Sequence, residues 1–297
     1  MFTVRKERIE FIVKGSKVIG NLFIPEDGKV KKYPAVFIGG PMTSVKEQVT
    51  GVYAKSLAEL GFITLTIDHR YFGESEGTPR QYEKFPDKLL DIKNALDFLK
   101  KRPQVDERFI SLVGVCLGAG YVLAAASEIS GIYRLAAIAG YYRDTQEMKA
   151  NNLHDFNSKV SSGKKAREQY ESTGKVLYIP AASLNEEAAM QTKDTVDYYT
   201  KRAAVQNYEN SFAVMSREFF TKFDVQIYAE KVTRPFLMIH SQKALSPHWA
   251  DRFYNNVKTE KIRHFVESRG QTDFYDNNRI VKKCVQHTSK HLLPVKS

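Results

Sequence analysis

Residues 109–126 read FISLVGVCLGAGYVLAAA, and this stretch decides how the rest of the chain is interpreted. A run of strand-forming residues meets the pattern G-x-C-x-G at 114–118, and a helix of small residues follows. Glycines two positions before and after an apex residue suit a sharp strand-to-helix turn, because a Cβ atom there would collide with the neighbouring strand or helix. The pattern therefore predicts that Cys116 stands at the apex of such a turn with strained backbone dihedrals.

Other glycine motifs fit this stretch less well. The glycine order is G-x-x-x-G-x-G and not the G-x-G-x-x-G of a dinucleotide site. No Lys-Ser or Lys-Thr pair follows, so the stretch is not a phosphate-binding loop. The alternative to a nucleophile is that the turn forms and Cys116 is an inert small residue within it.

The remaining chain alternates strands and helices, which is typical of a parallel sheet covered by helices. Strands are predicted over 3–14, 17–25, 33–40, 61–68, 108–114, 133–140, 234–241 and 261–268, and helices over 46–60, 86–102, 117–127, 247–257 and 278–293. The alternation stops from 144 to 230, where the chain is polar, rich in tyrosine and marked only by short helical pieces. We therefore predict a core of residues 1–143 and 231–297, with 144–230 inserted as a helical cap over the carboxyl edge of the sheet.

Composition limits the class of protein. The chain has 297 residues, 42% hydrophobic and 27% charged, which is ordinary for a globular protein. No apolar run of about 18 residues exists, so we expect no membrane span, and the first residues do not form a secretory signal. The net charge of +11 is scattered along the chain, which favours solvated surface charge over nucleic-acid binding. With only two cysteines, a reducing cytoplasm is expected.

A cysteine at this apex would also begin a helix. The helix dipole favours the thiolate, so we expect a lowered pKa for Cys116. The backbone N–H of Leu117 is placed to stabilise an oxyanion. A second donor is expected from the loop GGPMTS after the strand 33–40, and Met42 is the candidate because Pro41 has no N–H to give.

Five segments together resemble the α/β-hydrolase superfamily: GGPMTSVKEQ, DHRYFGESEGTPR, VDERFISLVGVCLGAGY, RPFLMIH and GQTDFYD. Within it, the chain is most similar to dienelactone-hydrolase-like and polyketide-transferase-like proteins with a cysteine at the turn. The resemblance implies a mainly parallel, twisted sheet of eight strands flanked by helices. It also implies a hydrolase of esters, thioesters or lactones that uses no metal and no organic cofactor.

The residues that should assist the nucleophile depart from this family. The acid normally follows the strand 235–240, where this chain has HSQKALSPHWAD and no carboxylate before Asp251. The histidine normally follows the last strand, where this chain has SRGQTDFYD with Asp273 close to the expected position. His240, at the end of a strand on the catalytic edge, and His69 are the candidates for a replacement base. Asp144, just past the strand 133–140, is the candidate acid.

The sequence leaves three functions open. The first is an active hydrolase of a small-molecule ester, thioester or lactone that forms an acyl-enzyme on Cys116, or an acyltransferase with the same intermediate. The second is a catalytically impaired protein that binds a small apolar ligand. The third and weakest is a basic surface that binds an acidic partner. Nucleic acid and membrane are not expected partners, and a homodimer is left open.

Overall fold

An eight-stranded sheet forms the centre of the protein in the computed structural model, which describes residues 1–28 and 31–294. Its strands are β1 (Thr3–Val13), β2 (Ser16–Glu26), β3 (Tyr33–Gly39), β4 (Ile63–Ile67), β5 (Val105–Val115), β6 (Ile132–Ile138), β9 (Phe236–His240) and β10 (Lys261–Phe265). They lie in the order β1-β2-β4-β3-β5-β6-β9-β10. Only the β1–β2 and β2–β4 pairs are antiparallel, so the predicted mainly parallel sheet is confirmed.

The helices follow the strands in the predicted alternation. They are α1 (Val49–Ala58), α2 (Phe85–Lys100), α3 (Leu117–Ala126), α4 (Thr145–Asn151), α5 (Leu153–Thr173), α6 (Lys193–Asp197), α7 (Arg217–Phe220), α8 (Pro247–Asn256), α9 (Asp273–Asp276) and α10 (Asn278–Leu292). A π-helical turn (Tyr198–Arg202) and two 3₁₀ turns (Val214–Ser216 and Gln226–Lys231) complete them. No helix in the described part of the chain is long and apolar enough to cross a membrane.

The central strands are buried because helices flank the sheet. Every residue of β4 is buried, and β3 is buried except for Pro34. Helix α3 is buried over nearly its whole length, and its small residues allow it to lie directly against β3. A Cβ atom on Gly39 would come within 2.9 Å of Val122 Cγ1 of this helix. This close packing fixes the start of α3, and therefore the turn before it, relative to the sheet.

The segment between β6 and β9 differs from the sequence prediction. It contains α5, a helix of 21 residues, where only short helical pieces were expected. The periodicity of α5 is weak because only Phe156, Gly163 and Ala166 are buried. Gly163 allows close backbone contact, since a Cβ atom there would lie 2.3 Å from the backbone nitrogen of Glu218. A short two-stranded sheet, β7 (Tyr178–Ile179) with β8 (Phe212–Ala213), joins the same segment.

Candidate active site

The turn between β5 and α3 has the geometry that the glycine pattern predicted. Cys116 stands at its apex with φ of 55° and ψ of −126°, outside the conformations that non-glycine residues usually adopt. A Cβ atom on Gly114 would lie 2.4 Å from Ala119 Cα, and one on Gly118 would lie 2.4 Å from the Gly39 carbonyl oxygen. Both contacts are to backbone atoms that cannot move aside. The two glycines are therefore required by packing.

The sulfur of Cys116 lies in a buried and uncharged environment. Burial raises the pKa of this thiol to about 11, against hydrogen bonds from Tyr275, the Leu117 N–H and Gln271 that favour the thiolate. The expectation of a lowered pKa is therefore wrong. The helix N-terminus does act on the sulfur through the Leu117 N–H, but the loss of water around a residue only 6% exposed outweighs it. Cys116 is a neutral thiol at physiological pH.

Gln271 and Tyr275 occupy the place beside the sulfur where a base was sought. Gln271 Nε2 donates to the Ala139 carbonyl oxygen at 2.8 Å and to Tyr275 Oη at 3.1 Å, and Gln271 Oε1 accepts from the Leu245 N–H at 3.0 Å. These bonds fix the amide beside the thiol. An amide does not titrate, and burial holds the pKa of Tyr275 well above its usual value of 10. Neither side chain is a proton acceptor at neutral pH.

Sequence reasoning missed Gln271. The segment SRGQTDFYD pointed to Asp273 as the residue close to the expected histidine position. In the structure, Arg269 Nη2 donates to Asp273 Oδ1 at 2.8 Å, and this interaction lowers the pKa of the carboxyl group. The only signal for Gln271 was its place in the same loop, two residues before Asp273.

The two proposed oxyanion donors belong to residues that share a cavity with Cys116. Leu117 is the first residue of α3, and Leu117, Met42 and Cys116 line the same cavity. Next to Met42, the Thr43 N–H donates to Glu83 Oε2 at 2.8 Å. No described residue accepts the Met42 N–H. A donor without a protein partner beside a nucleophile is the feature expected of an oxyanion site.

Glu83 binds the backbone of the loop that follows β3. This residue was not identified from the sequence. Its carboxylate is fully buried and accepts hydrogen bonds from the Thr43 N–H, from Tyr121 Oη at 2.5 Å and from Lys88 Nζ at 2.5 Å. Thr43 has φ of 58°, so the loop after β3 adopts a conformation that is unfavourable for a β-branched residue. The Glu83 carboxylate holds that conformation in place.

The two candidate bases have their described contacts away from the thiol. His240 places its ring nitrogens 3.0 Å from the Ser241 carbonyl oxygen and 3.1 Å from the Gly140 carbonyl oxygen. His69 places Nδ1 3.2 Å from Asp91 Oδ2. Burial lowers the pKa of both rings. Their use as a base stays a prediction that these contacts do not favour.

The candidate acid also has another role in the structure. Asp144 caps helix α4 by accepting the Glu147 N–H at 2.9 Å, and it forms an ion pair with Arg252. Asp251, the first carboxylate after β9, pairs with Arg263 at 2.6 Å. Of the residues proposed from the sequence, the structure therefore brings together Cys116, Leu117 and Met42 around one cavity.

That cavity has a volume of about 350 Å³, within the range of small-molecule sites. The core contributes Met42, Cys116, Leu117 and Tyr275 to its wall, while the segment between β6 and β9 contributes aromatic and methionine side chains. The latter include Met148, Met190, Tyr199, Phe212 and Phe220. The segment therefore faces Cys116, as a cap would, and its action as a lid remains a prediction. Among the described residues, no group of three His, Cys, Asp or Glu side chains could hold a metal ion.

Comparison with known proteins agrees with this geometry. Residues 47–269 match the family model described as serine aminopeptidase, S33, a hydrolase family. YcjY of Escherichia coli strain K12 is 31% identical over 273 residues, which cover 89% of each chain. The thiohydrolase aneE of Aspergillus aculeatus is 35% identical over 120 residues, or 40% of this chain and 36% of its own.

A solved structure extends the likeness to the whole fold. The crystal structure of PA2218 from Pseudomonas aeruginosa superposes with a TM-score of 0.83 and 25% identity, covering 97% of this chain and 94% of the other. The family description names a serine, whereas the apex residue here is Cys116. The family match, the sheet order and the strand-to-helix turn lead to one conclusion: the chain belongs to the S33 serine aminopeptidase family of α/β hydrolases.

Proposed function

We propose that the protein is an acyl hydrolase or acyltransferase in which Cys116 attacks an ester, thioester or lactone carbonyl. One observation carries the proposal: Cys116 stands at the strained apex at the start of α3, and it lines one cavity with Leu117 and Met42. In this arrangement the thiol is the nucleophile, and the N–H groups of these two residues stabilise the oxyanion of the tetrahedral intermediate. Esterase-like activity agrees with the hydrolase family.

The raised pKa of Cys116 selects among these substrates. With a pKa of about 11, only about one thiol in 10⁴ is a thiolate at pH 7. Attack is therefore slow unless the acyl group is activated, and a thioester is activated because it releases a thiol. The Cys116 sulfur forms the new bond to the acyl carbon, the old carbon–sulfur bond breaks, and the proton of Cys116 leaves with the departing thiol. Water or an acceptor alcohol or thiol then attacks the acyl carbon, the bond from this carbon to the Cys116 sulfur breaks, and the proton of the acceptor returns to that sulfur.

The similarity to the thiohydrolase aneE supports a thioester over a simple ester. It spans 40% of the chain, so it supports the class of reaction and not a particular substrate. Both cysteines are free, which leaves the Cys116 thiol available as a nucleophile. We further propose that the segment between β6 and β9 acts as the lid of the cavity.

A second function is favoured by the side chain of Gln271. An amide beside the thiol lacks the proton-accepting role that catalysis normally assigns to this place. A protein with the pocket, the turn and no base could bind a small apolar ligand without turning it over. The aromatic wall of the cavity would suit such a ligand equally well.

The two functions are separated by comparing wild type with Cys116→Ala and Cys116→Ser. Hexanoyl-N-acetylcysteamine serves as the thioester and p-nitrophenyl hexanoate as the ester. We expect wild type to hydrolyse the thioester and to form a hexanoyl adduct at Cys116 that mass spectrometry detects. Cys116→Ala should be inactive, and Cys116→Ser should be close to inactive, since a hydroxyl depends more strongly on a base.

Controls identify the source of any activity. Cys284→Ala removes a buried thiol that does not line the cavity and should leave turnover unchanged. His240→Ala and His69→Ala test the two remaining candidate bases. If wild type and Cys116→Ala hydrolyse the thioester equally, the nucleophile assignment is wrong and the binding function takes its place.

A further inference from the structure

A buried arginine lies in the same cavity wall as the nucleophile. Arg143 follows β6, is 3% exposed and lines the cavity with Cys116. The strand end that carries it runs past the nucleophile, because the Tyr141 N–H donates to the Cys116 carbonyl oxygen at 2.9 Å. Arg143 and Cys116 therefore contribute to the same cavity wall from neighbouring parts of the backbone.

The guanidinium is held by backbone and aromatic groups. Nε donates to the Phe223 carbonyl oxygen at 3.3 Å, and Nη2 donates to the Thr221 carbonyl oxygen at 3.2 Å. The ring of Phe220 stacks with it, with 4.3 Å from Cζ to the ring centroid. These contacts orient the group, but none of them carries a negative charge.

The third nitrogen of Arg143, Nη1, has no hydrogen-bond partner among the described residues. The Nη1 atom is also not completely shielded from solvent. Nη1 therefore keeps contact with open space, and for a side chain this deeply buried that space is the cavity.

Arg143 also has no counter-ion among the described residues, in contrast to the other cations of the cavity. Lys159 pairs with Asp155 at 2.7 Å, and Arg217 pairs with Glu187 at 2.6 Å. No carboxylate among the described residues forms an ion pair with Arg143.

Two carboxylates neighbour Arg143: Asp144 follows it in the sequence, and Asp224 lies between two residues that contact it. Both accept hydrogen bonds from other groups. Asp144 pairs with Arg252. Asp224 accepts hydrogen bonds from the Thr145 N–H at 3.2 Å and from Thr145 Oγ1 at 2.5 Å. Neither carboxylate, and no other carboxylate in the described part of the chain, makes a direct ion pair with the Arg143 guanidinium.

A buried cation without a counter-ion is unfavourable, and an anion bound at the cavity would compensate it. We propose that the substrate carries an anionic group, a carboxylate on the acyl chain or a phosphate on the carrier thiol, that binds Nη1 of Arg143. The identity of the reacting bond rests on the function proposed above; the anion preference rests on Arg143 alone. The carboxylate and the phosphate both offer a negatively charged oxygen that accepts a charge-assisted hydrogen bond.

The experiment compares matched substrates that differ in charge. Mono-p-nitrophenyl adipate and p-nitrophenyl hexanoate have acyl chains of equal length, and only the first ends in a carboxylate. Hexanoyl-coenzyme A and hexanoyl-N-acetylcysteamine place the difference on the leaving thiol. For wild type we expect kcat/KM to be at least about tenfold higher for the anionic member of one pair, and that pair shows which side of the substrate carries the anion.

Variants assign the preference to Arg143. In Arg143→Gln the ratio should fall to about one, and Arg143→Lys should keep part of it, because the charge remains but the planar fork is lost. Arg102→Gln is the matched control, since that arginine pairs with Glu7 and does not line the cavity, and it should keep the wild-type ratio. Circular dichroism verifies folding; should Arg143→Gln not fold, the wild-type ratio and Arg143→Lys provide the test.

Equilibrium binding separates this proposal from the proposed reaction. The Cys116→Ala variant binds the two p-nitrophenyl esters without cleaving them, so calorimetry gives their dissociation constants directly. If wild type cleaves neither substrate but this variant prefers the anionic one, the reaction is refuted and the anion site stands. If no pair shows a charge preference in turnover or binding, or if Arg143→Gln keeps the preference, the anion site is refuted.

Discussion

Replacing Tyr275 with phenylalanine should make the Cys116 thiol even less acidic. The Tyr275 hydroxyl is the leading hydrogen-bonding group that favours the thiolate, although burial sets the pKa at about 11. A hydrogen bond to a charged group contributes about 1.5–3 kcal/mol, which corresponds to about one to two pKa units. At any pH below 10, Tyr275→Phe should therefore contain about 10- to 100-fold less thiolate than wild type.

Alkylation by iodoacetamide, followed peptide by peptide with mass spectrometry, measures this population. In wild type the labelling rate of Cys116 should rise about tenfold per pH unit from pH 7 to 10, because the thiolate is the reacting form. Cys284, whose pKa burial raises to about 12, is the internal comparison and should label more slowly. The smaller reagent methyl methanethiosulfonate separates low reactivity from blocked access.

Tyr199→Phe is the matched control for Tyr275→Phe. Tyr199 is also buried and lines the same cavity, but its hydroxyl has no hydrogen-bond partner within residues 1–28 and 31–294. Its removal should leave the labelling rate of Cys116 within about twofold of wild type. A wild-type rate that levels off below pH 9 would refute the raised pKa. Faster labelling of Tyr275→Phe than of Tyr199→Phe would mean that Tyr275 restricts access and does not stabilise the thiolate.

Four other results are expected. Gln271→His places a titratable ring beside the thiol, so thioester hydrolysis at pH 7.5 should rise at least about 100-fold; unchanged kcat/KM would show that the base is not what limits the rate. Gly118→Ala forces a Cβ atom to 2.4 Å from the Gly39 carbonyl oxygen, and urea unfolding should show a loss of about 3 kcal/mol or more. Glu83→Gln leaves Lys88 without its buried counter-ion, which should cost about 3–5 kcal/mol in the same assay, whereas an unchanged midpoint would contradict a structural role. Finally, folding raises the pKa of both thiols above the unfolded value of about 8.5. Their contribution to stability is therefore complete below pH 8.5 and is lost as the pH rises towards 11. We expect the Tm to fall between pH 8.5 and 10, and a constant Tm would contradict this.

The sequence was sufficient for the fold and for the turn because both depend on local patterns. Gly114 and Gly118 both lie against backbone atoms in the structure. The spacing of the two glycines in the sequence therefore reflected a packing requirement. The strands of the sheet were equally visible, since β3 and β4 are buried runs between turn residues.

The surroundings of the sulfur could not be predicted in this way. Gln271 lies beside Cys116 through a hydrogen bond to Ala139, a contact between residues 132 positions apart. The acidity of the thiol was misjudged for a related reason. The helix N-terminus is a local feature that sequence reveals, whereas the burial of Cys116 depends on residues distant in the sequence, such as Gln271 and Tyr275. The polar segment between β6 and β9 lines the same cavity. That segment packs through close approach at Gly163 and not through a clear apolar stripe.

The path of the chain into and out of this segment has a consequence for how the family diversifies. The Val225 N–H donates to the Arg143 carbonyl oxygen at 2.9 Å, so residues 144–224 leave the core and return to it at a single point. The strands on either side, β6 and β9, are direct neighbours in the sheet. An entire segment could therefore be exchanged for one of different length without stretching the core, because the ends to be joined already touch. Since this segment supplies most of the cavity wall and the core supplies the nucleophile, an exchanged segment would change which substrates fit while the nucleophile turn stays in place.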